Sequence, residues 1–502
     1  MSRLSPVAAL RVSIVVLGFT VVPWGVDGAF AAEIPLATSL AAEMTDPLGV
    51  PFVALDGGVT AGAWLADGGS VRLKMQWLSA AGQPLFETDG REIAVGGGEI
   101  TSVSILRRPG GGAFVAYGER QDSGDEFLFA QAFDAAGSPL WPGDGVRVSD
   151  IEDSQSDVSL VPDFVGGVYA CLSLERGQAI RCQHLDRDGD RLWTESGHDV
   201  GGGPGPKVRA KTVSDGAEGV MVFWHNLGSP DAAAGPGEEQ TGPMRRAVEG
   251  QHFNSPGAAL WGEGVHVVDL ADSAPTDLEL EAIADGEGGA FVVFDADRVP
   301  GAEDVDVFMQ RISSLGKLLW EDRRAVTSGP SEMRLRGLAP AADGFIAIVA
   351  DLRGEFYRDL RLFRLDADGF HLWGDAGQPL STTSPFVFKT APRASFDAGV
   401  LRVAWTEQSS PESSELDIFI ARFAADGSRL GDTEVVTSVA DDQWCRSLIY
   451  HAGSARVVVL WEDLRKGGGD VDIYASETAS PLVFASGFEL GNFDDWDAVV
   501  TP

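Results

Sequence analysis

The hydrophobic positions of this chain fall into short runs rather than long periodic stretches. From about residue 50 onward, runs of five to eight apolar or alternating residues are cut by glycine-rich turns. Such runs are too short for helices and suit β-strands. Two phrases recur. The first is an apolar strand, then Asp-x-x-Gly, then Leu-Trp, as in Phe133–Trp141, Leu185–Trp193 and Leu365–Trp373. Looser copies end at Trp261 and Trp320, and degenerate ones run from Leu78 to Phe86 and from Phe423 to Gly431. The second phrase precedes the first. It is a glycine-flanked run, apolar on both faces, ending in an aromatic and then acids, as at 112–117, 219–224, 289–294, 399–405 and 455–461. A run apolar on both faces predicts a strand covered on both sides.

The repeat unit is clearest at 277–328. Asp277–Ala284 reads as a first strand, Ala290–Phe294 as a buried second, Val305–Ile312 as a third and Arg324–Thr327 as a short fourth. Residues 295–304 read as an acidic loop. Four antiparallel strands per unit, repeated every 52 to 68 residues between Trp141 and Trp373, predict an all-β fold, a β-propeller of four-stranded antiparallel blades. Seven units carry the third-strand turn. An eighth, at 443–475, supplies three strands and stops. Residues 33–39 resemble the missing fourth strand, so the N-terminal strand is expected to close an eight-bladed ring. Seven blades is the alternative.

Composition narrows the setting. Glycine is abundant at 62 residues and the formal net charge is −37. A surface so acidic repels phosphate backbones and argues against nucleic acid as a partner; its simplest use is solubility. Residues 1–31 read as a signal peptide: Arg3 and Arg11 precede the apolar stretch 12–22, and Ala29-Phe30-Ala31 fits a cleavage site. No later segment is apolar enough to span a membrane. The expected domains are therefore a signal peptide (1–31), a propeller (32–476) and a C-terminal tail or capping segment (477–502), in a secreted or periplasmic monomer. In an oxidising compartment Cys171 and Cys182, placed across a hairpin at 175–178, are expected to form a disulfide. Cys445 is expected to be a small core residue.

The Asp-x-x-Gly-x-x-Leu-Trp phrase resembles the tryptophan-docking motif of quinoprotein-type propellers, with Trp four residues after Gly at Gly137/Trp141, Gly189/Trp193, Gly257/Trp261, Gly316/Trp320 and Gly369/Trp373. The resemblance implies that these Trp residues pack between adjacent blades. It does not extend to the quinoprotein active site, because no adjacent cysteine pair exists. Scaffold propellers of the bacterial envelope are the nearer analogy. The sialidase-type box has a different Asp-to-Gly spacing. The tail, Phe484 to Trp496, is similar to a Gly-Phe-Glu-x-Gly…Trp segment at the ends of exported bacterial proteins.

Candidate chemistry is sparse. The loops after the second strands are acidic, and two carry Asp-x-Asp, at Asp304/Asp306 and Asp470/Asp472. Oxygen ligands so clustered suit Ca²⁺, although a solvated loop explains them more simply. Asp186–Asp190 and Asp366–Gly369 lack the downstream Glu of a calcium loop and read as turns. Arg176, Arg298, Arg353 and Arg465 each follow a second strand by four residues. They suit an anionic ligand if they converge on the axis, and loop salt bridges otherwise. The insert at 226–247 departs furthest from the repeat and is expected to form a long loop. The seven His residues show no metal-ligand spacing, and no nucleophile elbow, phosphate loop or dinucleotide fingerprint is present. The expectation is an exported, non-catalytic binding or scaffold propeller with an unknown protein or carbohydrate ligand. The alternative is a polysaccharide hydrolase or lyase with axial carboxylates.

Overall fold

In the computed structural model, residues 34–40 and 52–479 are described, less 68–70, 81–82, 88–89, 94–97, 152–154, 175–178, 202–204, 229–245, 271–277, 299–304, 330, 342, 353–357, 382–386, 409, 411–412, 414 and 464–470. The signal-peptide stretch, the core of the 226–247 insert and all but the first residues of the 477–502 tail lie outside this set.

Eight four-stranded antiparallel sheets form the chain. Seven are continuous. Blade 1 opens with Phe52–Ala54, blade 2 with Glu99–Arg107, blade 3 with Gln155–Pro162 and blade 4 with Lys207–Ser214. Blade 5 opens with Leu280–Ala284, blade 6 with Glu332–Ala341 and blade 7 with Lys389–Asp397. Blade 8 takes three strands from the C-terminal end, Gln443–His451, Arg456–Asp463 and Val471–Ala479. Its outer strand is Ile34–Leu40, which pairs antiparallel with Val471–Ala479. The N-terminal strand thus closes the ring, and eight blades, not seven, is the architecture. The blade 8–blade 1 seam also holds Thr60 Oγ1 within 2.8 Å of His451 Nε2, across 391 residues of sequence.

Second and third strands carry the core because they are covered on both sides. Ala290–Asp297 and Val305–Ile312 are buried along their whole lengths. Apolar clusters fill the seams between blades: Phe114, Trp141, Val168 and Leu172 join blades 2 and 3, and Phe291, Met309, Leu335 and Phe345 join blades 5 and 6. In blade 3, Cys171 and Cys182 lie directly opposite in the ladder, 4.1 Å apart at Cα, and are joined as a disulfide. Cys445 is a free, buried thiol. Burial raises its pKa to about 11, which keeps it protonated and inert.

One expectation needs correction. The acids after the second-strand aromatics are not solvated loop residues. Asp295 and Asp297 are 0% and 4% exposed, and Glu119 and Glu407 are 1% exposed. The second strand runs on because the third strand reaches far enough to pair with it, as Asp295–Val307 and Asp297–Val305 show. The aromatic then gives the acid a partner. Trp405 Nε1 donates to Glu407 at 2.6 Å, and Trp461 Nε1 to Asp463 at 3.1 Å. A buried carboxylate without such partners would be costly.

Candidate functional site: rim and axis

The rim is built from the repeated phrase. In the Asp-x-x-Gly turns the Asp carboxylate accepts from amides two and four residues on, as Asp186 does from Asp188 and Asp190, both at 2.9 Å. These carboxylates serve their own turns. Each docking aromatic lies over the turn glycine of the next blade. A Cβ on Gly189, where φ is +88°, would lie 2.9 Å from the Trp141 ring; the same holds for Gly427 beneath Trp373. The indole N–H then crosses the seam. Trp141 donates to Arg187 O at 3.0 Å, Trp193 to Ser255 O at 2.9 Å, Trp261 to Ser314 O at 3.0 Å and Trp373 to Ala425 O at 2.9 Å. Trp320 lies over Gly369 with Arg324 against its face. In blade 1 Phe86 takes the same place over Gly137.

A second repeated residue escaped the sequence reading. Two positions before the end of the third strand sits a buried Gln: Gln76, Gln131, Gln183, Gln251 and Gln310. Gln183 Oε1 accepts from His184 N and Trp193 N, and its Nε2 donates to Thr194 O at 2.7 Å. Gln131 and Gln251 repeat the pattern at Trp141 and Trp261. The Gln therefore fixes the turn that presents the Trp. Its signal was a Gln two residues before the apolar residue of Asp-x-x-Gly, visible only once the copies are aligned.

The axis is bordered by the first strands. Each has one ladder partner, so its other edge faces the centre of the ring. Among the described residues, six of the eight break register with the second strand, in blades 2, 3, 4, 6, 7 and 8. Such irregularities re-aim side chains. Three of them contain an arginine: Arg209 between Val208 and Lys211, Arg336 between Leu335 and Gly337, and Arg446 between Cys445 and Ser447. Arg209 has φ of +58°, a left-handed conformation that a long side chain adopts at a cost. Lys211, Arg334 and Arg393 add charge to the same strands. In a chain of net charge −37 the axial border is locally basic.

Most of these cations have acid partners. Arg209 lies 3.4 Å from Glu279, Lys211 2.8 Å from Glu281, and Arg334 2.7 Å from Glu332; Arg446 pairs with Glu462. Arg393 differs. It donates to the main-chain carbonyls of Arg446, at 2.8 Å, and Pro392, at 2.9 Å, and among the described residues no carboxylate lies within 4 Å. Burial lowers its pKa from the usual guanidinium value. Beside Arg209, His225 is buried, and burial foremost, then the Arg209 charge, lowers its pKa to about 4.

Asp306 is buried in a third strand, 2.6 Å from Arg298 Nε and 3.0 Å from Thr327 Oγ1. Arg298 is thus a local ion pair rather than an axial residue. Asp304, Asp470, Arg176, Arg353 and Arg465 lie outside the described residues, as does the side chain of Asp472. Among the described residues, no group of three His, Cys, Asp or Glu is placed to hold a metal, and no helix is long and apolar enough to cross a membrane.

No family model matches the chain, and no curated protein matches it. Solved structures do. An ulvan lyase, of a polysaccharide lyase family, is 12% identical over 81% of this chain and 97% of its own, with a TM-score of 0.44. The propeller domain of the Trilobed protease from Pyrococcus furiosus is 8% identical over 78% of this chain and 99% of its own, with a TM-score of 0.43. A post-proline cleaving enzyme from Rickettsia typhi is 8% identical over 83% of this chain and 58% of its own, with a TM-score of 0.46. The likeness is one of fold.

Proposed function

We propose that the chain is an exported, non-catalytic binding propeller that takes its ligand on the axial face. The observation that carries this reading is the repeated break in register of the inner strands. The rim follows one rule from blade to blade, as a structural element does. The inner strands depart from their ladders in six blades, and the side chains at those departures do not follow one rule: three carry an arginine and three do not. Strain such as that at Arg209 persists where the surroundings over-determine it, which is common at binding sites. The axial acids Glu279 and Glu281 are ion-paired with Arg209 and Lys211, which favours binding over acid–base catalysis.

A thermal-shift screen of neutral and acidic saccharides and small organic acids tests this. The expected result is a ligand whose stabilisation is lost in Arg336→Gln/Arg446→Gln and kept in the rim variant Leu140→Ser. Turnover of a polysaccharide by the purified chain, abolished in Glu281→Gln, would replace this reading with the enzymatic one.

A further inference from the structure

The axial border is uneven, and its unevenness has a location. Lys211, Glu281, Gly337 and Arg393 occupy equivalent heights on blades 4 to 7. They pair with Phe223, Val293, Ile348 and Ala404. Those residues pair in turn with Gly250, Met309, Leu362 and Ile420. Each of these lies three residues before the third-strand apolar residue that opens the rim turn: Phe253, Ile312, Leu365 and Phe423. At this height blade 6 has no side chain. A Cβ built on Gly337 meets nothing within 4 Å, so the wall is recessed and open there. The blades on either side carry Glu281 and Arg393, and the register break beside the glycine carries Arg336.

We infer that the notch over Gly337 binds a small hydroxylated monoanion, a sugar acid in chemical class, with its carboxylate on Arg393 and a hydroxyl donating to Glu281. This deepens the axial reading and rests on it. Three considerations select the ligand. First, Arg393 is a partly buried cation with no carboxylate partner among the described residues, and such a charge is stabilised by an incoming anion. Glu281 and Arg393 stand at one height on blades 5 and 7, with only Gly337 at that height on the blade between them. Second, Glu281 holds only one described cation, Lys211, and an ionised carboxylate has acceptor capacity for a hydroxyl beyond it. Third, the net charge of −37 opposes a long polyanion laid across the ring, whereas a single charge entering the notch meets the local basic field.

Isothermal titration calorimetry on the purified full chain tests the proposal, with galacturonate, galactose and sodium sulfate as probes. Gly337 has no neighbour to displace and no left-handed φ, so Gly337→Leu fills the notch while leaving the fold intact, which an unchanged melting temperature verifies. Galacturonate is expected to bind at least tenfold more tightly than galactose. Its affinity is expected to fall at least tenfold in Arg393→Gln and in Gly337→Leu, and to be unchanged in Lys74→Gln on blade 1. Equal affinity for galactose and galacturonate, both lost in Gly337→Leu, would overturn the anion assignment and leave the axial reading standing. Sulfate binding insensitive to both axial variants would show an adventitious ion only, and overturn the site. The absence of heat with all three probes would do the same.

Discussion

Rim and axis of this ring are made from the same blades, yet they follow opposite rules. At the rim, aromatic, glycine and turn carbonyl recur from blade to blade, and Phe86 preserves the geometry where the Trp is lost. At the axis, equivalent positions hold Lys211, Glu281, Gly337 and Arg393, two cations, an anion and a residue with no side chain. Repetition marks what every seam needs for closure. Divergence marks positions released from that need and free to serve a ligand.

The largest expected effect is on the rim. Trp141→Ala removes a buried ring and its hydrogen bond across the blade 2–blade 3 seam. A loss of about 3–5 kcal/mol in chemical denaturation is expected. A loss under 1 kcal/mol would mean the docking contact does not hold the seam.

Next is Gln183→Leu. It keeps the volume but leaves the His184 and Trp193 amides without their acceptor. About 2 kcal/mol is expected from unsatisfied buried donors. The same substitution at Gln83, an exposed residue outside this network, should cost less; parity between the two would show that the Gln is only filler.

The pH dependence sets buried groups against each other. His225 and His451 are held neutral, with pKa values lowered to about 4, by burial chiefly. The unfolded chain protonates these His near 6.5 while the native state does not. Stability is therefore lost as pH falls from about 6.5 to 4, by at most roughly 3 kcal/mol per residue. Asp295 works in the opposite sense: burial raises its pKa to about 7, so its contribution is present at low pH and is lost as pH rises through 7. Denaturation midpoints should thus fall less steeply in acid for His225→Gln/His451→Gln than for the parent, and more steeply for Asp295→Asn. Parallel curves for all three would refute these assignments.

The smallest effects are expected where neither rule applies. Leu140 is 44% exposed beside the docked Trp141, and Leu140→Ser should shift stability by under about 0.5 kcal/mol. Lys211→Gln, which breaks a half-exposed axial ion pair, should cost about 1 kcal/mol or less. Both are read by the same denaturation measurement. A large loss at Lys211 would make the axis structural and erase the contrast.

Legibility in the sequence follows the same division. The Leu365–Trp373 phrase and its copies disclosed the blades, and the likeness of residues 33–39 to a fourth strand disclosed the closure, because a repeated structural need leaves a repeated string. Strand bounds were legible at Val305–Ile312, where turns flank the run. They were not legible at Asp295 and Asp297, since an acid buried by cross-strand pairing looks the same in sequence as one in a loop. Gln183 and its counterparts were missed because their partners are main-chain amides, which carry no residue code. The axis was illegible for a deeper reason. Arg209, Gly337 and Arg393 share no string, and only the register of Lys207–Ser214, Glu332–Ala341 and Lys389–Asp397 against their second strands brings them to one border.

That the rim holds the ring and the axis binds is tested most directly by a difference electron-density map from crystals of the chain soaked in galacturonate. Density over Gly337, with the carboxylate against Arg393, is expected. Density confined to the rim or the outer face, or none at a concentration that saturates the calorimetric titration, would contradict it.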